Sequence, residues 1–117
     1  MKHASRPLLA VASLLLPLLA AAHSTATMTT PANGQTLKIA PTEFMLMFNE
    51  AAKIAKVTLQ KTGEPTAKDI GPVPADAGQH VVIPAPKLGA GEYTLRYRAI
   101  GPDGHVVPGA VKFTIAP

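Results

Sequence analysis

Prolines and glycines interrupt this sequence so often that no long helix is expected after residue 22. The chain has 117 residues with 12 prolines and nine glycines, and the apolar runs between these residues are short. Short apolar segments separated by turn residues are typical of β-strands joined by turns. In Glu43–Phe48 and Glu92–Ala99, apolar and polar side chains alternate, which predicts strands with one buried face.

This pattern predicts an all-β domain. The predicted strands are Ser24–Thr29, Glu43–Phe48, Lys56–Gln60, His80–Ile83, Glu92–Ala99 and Val111–Ile115, with a short one at Thr36–Ile39. Asn49–Lys56 has room for one helical turn, and the proline-rich Gly71–Gly78 is predicted to be a long loop. About seven short strands in one domain are typical of an immunoglobulin-like Greek-key sandwich or barrel.

The first 22 residues have the pattern of a secretory signal peptide. A basic start is followed by the apolar run Leu8–Leu19 and by the small residues Ala20–Ala22. Signal peptidase cleaves after such residues, and the run is too short to cross roughly 30 Å of hydrocarbon as a helix. We therefore predict a signal peptide at 1–22 and a single exported domain at 23–117, which begins with His23.

Composition excludes several classes of function. The predicted mature chain carries nine basic and seven acidic residues, a net charge of +2, and the whole sequence has only five aromatic residues. Scattered basic residues with few aromatics do not form a nucleic-acid surface. Cysteine is absent, which excludes thiolate metal sites and cysteine nucleophiles, and the domain must be stabilised by its core rather than by disulfides.

Two features indicate a metal site. As the first mature residue, His23 would offer an α-amine and an imidazole that together chelate a metal. Asp103-Gly104-His105 is predicted to form a turn that presents a carboxylate and an imidazole on the same side of a loop. Each alone is also explained without a metal, since Asp-Gly is ordinary turn chemistry. Together they supply three nitrogens and one oxygen, which suit tetragonal Cu(II) and, less well, Ni(II) or Zn(II).

Other candidate ligands have simpler interpretations. His80 begins a predicted strand and has only Asp76 as an acidic neighbour in the sequence, so we interpret it as a surface or strand-edge residue. Met45 and Met47 share the outer face of their predicted strand. Alternate methionines on a strand are more often packing residues than ligands.

Several segments together resemble one family. They are His23, Thr30–Gly34, Pro41–Glu43, Leu46–Glu50, Leu88–Thr94 and Tyr97–His105, followed by Gly109 and Phe113–Ile115. In this order and spacing the chain resembles the CopC family of periplasmic copper-binding and copper-resistance proteins. It departs from the family pattern at Tyr97, where tryptophan is usual, and it lacks the methionine-rich loop that binds Cu(I) in some members.

The resemblance implies a seven-stranded Greek-key barrel of immunoglobulin-like type. It also implies one Cu(II) ion per chain, bound by the amine and imidazole of His23 and by Asp103 and His105. Glu50 matches an acidic position that lies near the copper in some members, although a solvated charge at a strand end explains it equally well. A membrane copper importer or another copper-resistance protein is the implied partner.

We therefore expect a monomeric periplasmic protein for Cu(II) storage, buffering or delivery, without catalysis and without membrane insertion after signal cleavage. Two alternatives belong to other classes of function. A copper monooxygenase with a histidine brace would need an open copper face and exposed aromatic residues. A metal-free immunoglobulin-like interaction module would need neither copper nor a free amine.

Overall fold

The structure is a computed structural model that describes residues 25–117. It contains seven strands: β1 (Ala26–Thr30), β2 (Gln35–Leu37), β3 (Glu43–Lys61), β4 (Lys68–Asp69), β5 (Gly78–Pro84), β6 (Gly91–Ile100) and β7 (Val106–Ile115). Within these residues no helix forms, so this part of the chain has no helix that could span a membrane. The predicted signal peptide and His23 lie outside the described residues.

Strand β3 runs through both layers of the domain. Its first part pairs with β1 on one edge and with β5 on the other, which forms the first layer. Its second part pairs with β6 and β4, and β6 continues through β7 to the parallel strand β2, which forms the second layer. The fold is the all-β, immunoglobulin-like sandwich that the sequence predicted.

The core lies between the inner faces of the two layers. Phe44, Leu46 and Phe48 are buried on the first layer, as their alternation predicted, and Phe113 is buried on the second. The ring centroids of Phe44 and Phe113 lie 5.6 Å apart, so these two side chains pack against each other between the layers. Phe48 makes an edge-on contact with Tyr97 at 6.0 Å between ring centroids, a favourable arrangement for aromatic pairs.

The helical turn considered for Asn49–Lys56 is wrong, because this segment belongs to β3. Ala52 and Ile54 are buried and alternate with exposed Lys53, so the segment has the period of a strand. The pairing register shifts twice here, and such bulges let a strand bend from one layer into the next. The predicted strands Glu43–Phe48 and Lys56–Gln60 are therefore the two ends of the single strand β3.

Two further differences from the prediction are a missed strand and an earlier start of β7. The two-residue strand β4 was missed, because two charged residues carry no alternation. Strand β7 begins at Val106 rather than Val111, although it then includes Pro108 and Gly109, two residue types that usually weaken strands. Pro108 is tolerated because β2 pairs with β7 only from Phe113 onward, which leaves this part of β7 with β6 alone as its partner among the described strands.

Gly109 makes room for the ring of Tyr97, its direct partner on β6. A Cβ at residue 109 would overlap the Tyr97 ring, which is buried against Phe48. We expect Gly109→Ala to lower the free energy of unfolding by about 1–3 kcal/mol, the usual cost of overpacking. Gly89→Ala is the matched control, because no atom lies near its added methyl. Equal urea midpoints for the two variants would contradict this prediction.

Candidate metal centre

The loop between β6 and β7 is a tight turn, as predicted. The amide of Gly104 donates to the carbonyl of Gly101 at 3.0 Å, and the amide of Gly101 donates to the carbonyl of His105 at 3.1 Å. Gly104 has φ of +83°, in the left-handed region that favours glycine. The turn therefore fixes the backbone on both sides of residue 104, and with it the relative positions of Asp103 and His105.

Asp103 holds His105 through both carboxylate oxygens. Oδ1 accepts a hydrogen bond from the His105 amide at 3.0 Å, and Oδ2 lies 2.7 Å from the His105 Nδ1. The Asp103 side chain is 24% exposed and the imidazole is 68% exposed. Because a carboxylate accepts, Nδ1 carries the proton in the neutral imidazole, and metal ligation is directed to Nε2.

Thr25, the first described residue, is hydrogen-bonded to Asn49 in the middle of β3. The Asn49 amide donates to the Thr25 carbonyl at 3.1 Å, and the Thr25 amide donates to the Asn49 Oδ1 at 2.7 Å. Strand β1 is antiparallel to β3, so Thr25 lies at the end of β1 that is nearer to Lys53 along β3. Lys53 pairs with Ile100, the last residue before the turn. Four residues of strand, roughly 13 Å, separate Asn49 from Lys53.

The predicted site residues are therefore only partly brought together by the described residues. Asp103 and His105 are in contact. Glu50 is exposed on β3 next to Asn49, and His80 is exposed on β5. His23 lies outside the described residues, and within 25–117 no three His, Cys, Asp or Glu side chains form a group that could hold a metal.

Asn49 is a positioning residue that the sequence analysis missed. Besides its two bonds to Thr25, its carbonyl accepts a hydrogen bond from the Gln79 side chain at 3.0 Å. It thus ties the beginning of β1 and the edge strand β5 to the middle of β3. An amide residue inside an otherwise alternating strand is the only signal in the sequence, and asparagine is depleted in strands unless it has such a role.

The fold and this turn define an immunoglobulin-like domain with a candidate metal-binding loop at one end. The model of the CopC domain matches residues 26–116. The chain belongs to the CopC family, as its sequence resemblance predicted.

Solved structures agree with this assignment. CopC from Methylosinus trichosporium OB3b is 25% identical, with a TM-score of 0.69 over 81% of this chain and 95% of that one. Two structures of PcoC from Escherichia coli, described as a copper resistance protein and as methionine rich, both have TM-scores of 0.57. They are 25% and 27% identical and cover 78% and 80% of this chain and 98% and 99% of their own. No curated protein sequence gives a significant match.

Proposed function

We propose that this chain is a periplasmic Cu(II)-binding protein that stores, buffers or delivers one copper ion. Its CopC domain and its likeness to PcoC, a copper resistance protein, support a copper-related function. The proposed ligands are the amine and imidazole of His23 together with Asp103 and His105. Residues 1–22 would be the signal peptide that exports the chain and exposes that amine.

The observation that carries this proposal is the position of Thr25 relative to the turn. Two hydrogen bonds hold Thr25 at Asn49, which lies four residues along β3 from Lys53, and Ile100, the partner of Lys53, precedes the turn. His23 is two residues before Thr25, and two extended residues span up to roughly 7 Å. We propose that this length of chain, together with the side chains, brings the His23 donors to Asp103 and His105 in the turn.

The chemistry of the donors fits Cu(II). An amine and two imidazoles provide three nitrogens, and a carboxylate provides one oxygen, a set that suits tetragonal copper. His105 would ligate through Nε2, since Asp103 holds its Nδ1. Asp103 would serve as the oxygen ligand or as the acceptor that orients the imidazole, an arrangement that strengthens metal-bound histidines. Glu50 stays a weaker candidate, because its exposed position on β3 also suits a solvated charge.

The structure favours a binding protein over a copper monooxygenase. All three phenylalanines and both tyrosines of the sequence are buried in the core. A monooxygenase acting on polysaccharide would instead present aromatic rings around its copper. A metal-free interaction module is disfavoured by the match of residues 26–116 to the CopC domain.

Copper delivery would require a partner at the end of the sandwich where the turn lies. A membrane copper importer or another copper-resistance protein is the proposed recipient, and the chain itself is proposed to act as a monomer. The turn is accessible for such a transfer, because the His105 imidazole is largely exposed.

Titration of the protein that starts at His23 tests the proposed function. We expect one Cu(II) per chain with a tetragonal spectrum dominated by nitrogen donors, after intact mass has established the first residue. A protein that bound no Cu(II) would be the metal-free module. Reductant-driven oxygen consumption by the copper-loaded protein would instead indicate the enzyme.

A further inference from the structure

The outer face of the second layer carries a cluster of three basic side chains, which we call the Lys56–Arg96–Arg98 cluster. Lys56 on β3 pairs directly with Arg98 on β6, and Arg96 lies two residues earlier on β6. All three are exposed, whereas their strand neighbours Val57 and Tyr97 are buried in the core. Because alternate residues of a strand project from opposite faces, the three cationic side chains open onto the solvent side of this layer.

A surface cavity of about 580 Å³ is lined by this cluster. The cavity forms because the facing residues of β7 are short: Pro108 is the direct partner of Arg98, and Ala110 is the direct partner of Arg96. Long basic side chains therefore stand beside small residues that leave space next to them. Thr58, the direct partner of Arg96 on β3, adds a hydroxyl group to the lining. Pockets that hold small ligands have volumes of this order.

The positive charges of the cluster are not neutralised by nearby acidic residues. Among residues 25–117, no ion pair or hydrogen bond joins a side chain of the cluster to another residue. Asp69 on β4 is separated from Arg96 by Thr58, a distance of roughly 10 Å across the strands. Glu92 lies four residues from Arg96 on β6, roughly 13 Å along the strand. The cavity is therefore electropositive.

The three charges repel one another when the cavity is empty. Direct cross-strand partners have Cβ atoms roughly 5 Å apart, and like charges at such positions are destabilising. Lys56 and Arg98 are partners of this kind, and Arg96 is roughly 7 Å from Arg98 along β6. An anion bound among them would remove this repulsion. It would also accept hydrogen bonds from the two guanidinium groups, whose planar array of donors matches carboxylate and phosphate oxygens.

We propose that this cavity binds a small polyanion, a compound with two or more carboxylate or phosphate groups. Cations spaced roughly 5–7 Å apart suit a ligand with several charged groups better than an ion with a single centre. A cavity, in contrast to a flat basic face, favours a small ligand over a lipid surface. Neither Asp103 nor His105 lines the cavity, so this site does not rest on the proposed Cu(II) function.

Calorimetric titration of the metal-free protein with citrate, which carries three carboxylates, tests this site. At constant ionic strength one citrate is expected to bind per chain, about tenfold or more tightly than acetate, with inorganic phosphate between the two. Arg98→Gln removes the guanidinium group opposite Lys56. It should weaken citrate binding by about tenfold or more, because charge-assisted hydrogen bonds to the ligand are lost.

Lys112→Gln is the matched control, because it removes a positive charge from the same face at a position that pairs with Thr94 and does not line the cavity. It should leave citrate affinity within about twofold of the parent. Equal losses in the two glutamine variants would overturn the proposal, since the face would then attract anions only diffusely. So would failure to bind citrate together with binding to phosphatidylglycerol vesicles that Arg98→Gln abolishes, since the ligand would then be a lipid surface.

Discussion

One residue added ahead of His23 is expected to weaken Cu(II) binding by several orders of magnitude. The addition leaves the imidazoles of His23 and His105 and the carboxylate of Asp103 in place. It converts the primary amine into a peptide nitrogen, whose lone pair is delocalised into the carbonyl and does not ligate unless it loses its proton. The chelate ring on His23 is thereby lost, while an extension at a chain terminus leaves the fold intact.

Two different extensions, glycine and methionine, should be compared by competition titration and by the copper spectrum. Either new start, Gly-His or Met-His, can form a weaker chelate through its own amine and the imidazole that follows, and a changed copper spectrum identifies this side effect. The same residue added after Pro117 is the control and should change nothing. If both extended proteins bind Cu(II) as tightly as the parent, the amine is not a ligand and the site is a side-chain cluster around His105.

His105→Ala is expected to lower Cu(II) affinity by orders of magnitude as well. It removes the imidazole that the turn presents, and it leaves the Asp103 carboxylate without the ring it holds at 2.7 Å. Asp103→Ala should cost less, because the amine and both imidazoles remain and only the carboxylate, as ligand or as partner of the His105 ring, is lost. Supporting residues of this kind typically contribute about 10–100-fold to metal affinity.

His80→Ala is the control for the histidine substitution. It removes an exposed imidazole on β5 and should leave Cu(II) affinity nearly unchanged. A Cu(II) loss as large as that of His105→Ala would mean that the second imidazole of the Cu(II) site has been assigned to the wrong residue. Far-ultraviolet circular dichroism checks that each variant keeps its strands.

Local patterns in the sequence correctly predicted those features of the fold that depend on a single strand or a single turn. The alternation of Phe44, Leu46 and Phe48 predicted their burial, and all three are in the core. Asp103-Gly104-His105 predicted a turn, because Asp and Gly favour one wherever they stand, and the structure has it between β6 and β7.

Local patterns failed to predict features that depend on pairing with strands distant in the sequence. Asn49–Lys56 is rich in good helix formers such as alanine and lysine, yet pairing with β6 makes it a strand, since tertiary context overrides intrinsic propensity. The close approach of Tyr97 to Gly109 depends on the register between β6 and β7. Register is set by long-range pairing and cannot be found from spacing along the chain.

The attachment of β1 has a consequence for the energetics of copper binding. This five-residue strand pairs with β3 alone among the described strands, and Thr25 is fastened to Asn49 at the end nearest the proposed Cu(II) ligands. If His23 is a Cu(II) ligand as proposed, docking of β1 and capture of Cu(II) are thermodynamically linked, and each strengthens the other by the same free energy. The affinity of the proposed site would then include the free energy that docks this edge strand, and Asn49 would contribute to it without touching the ion.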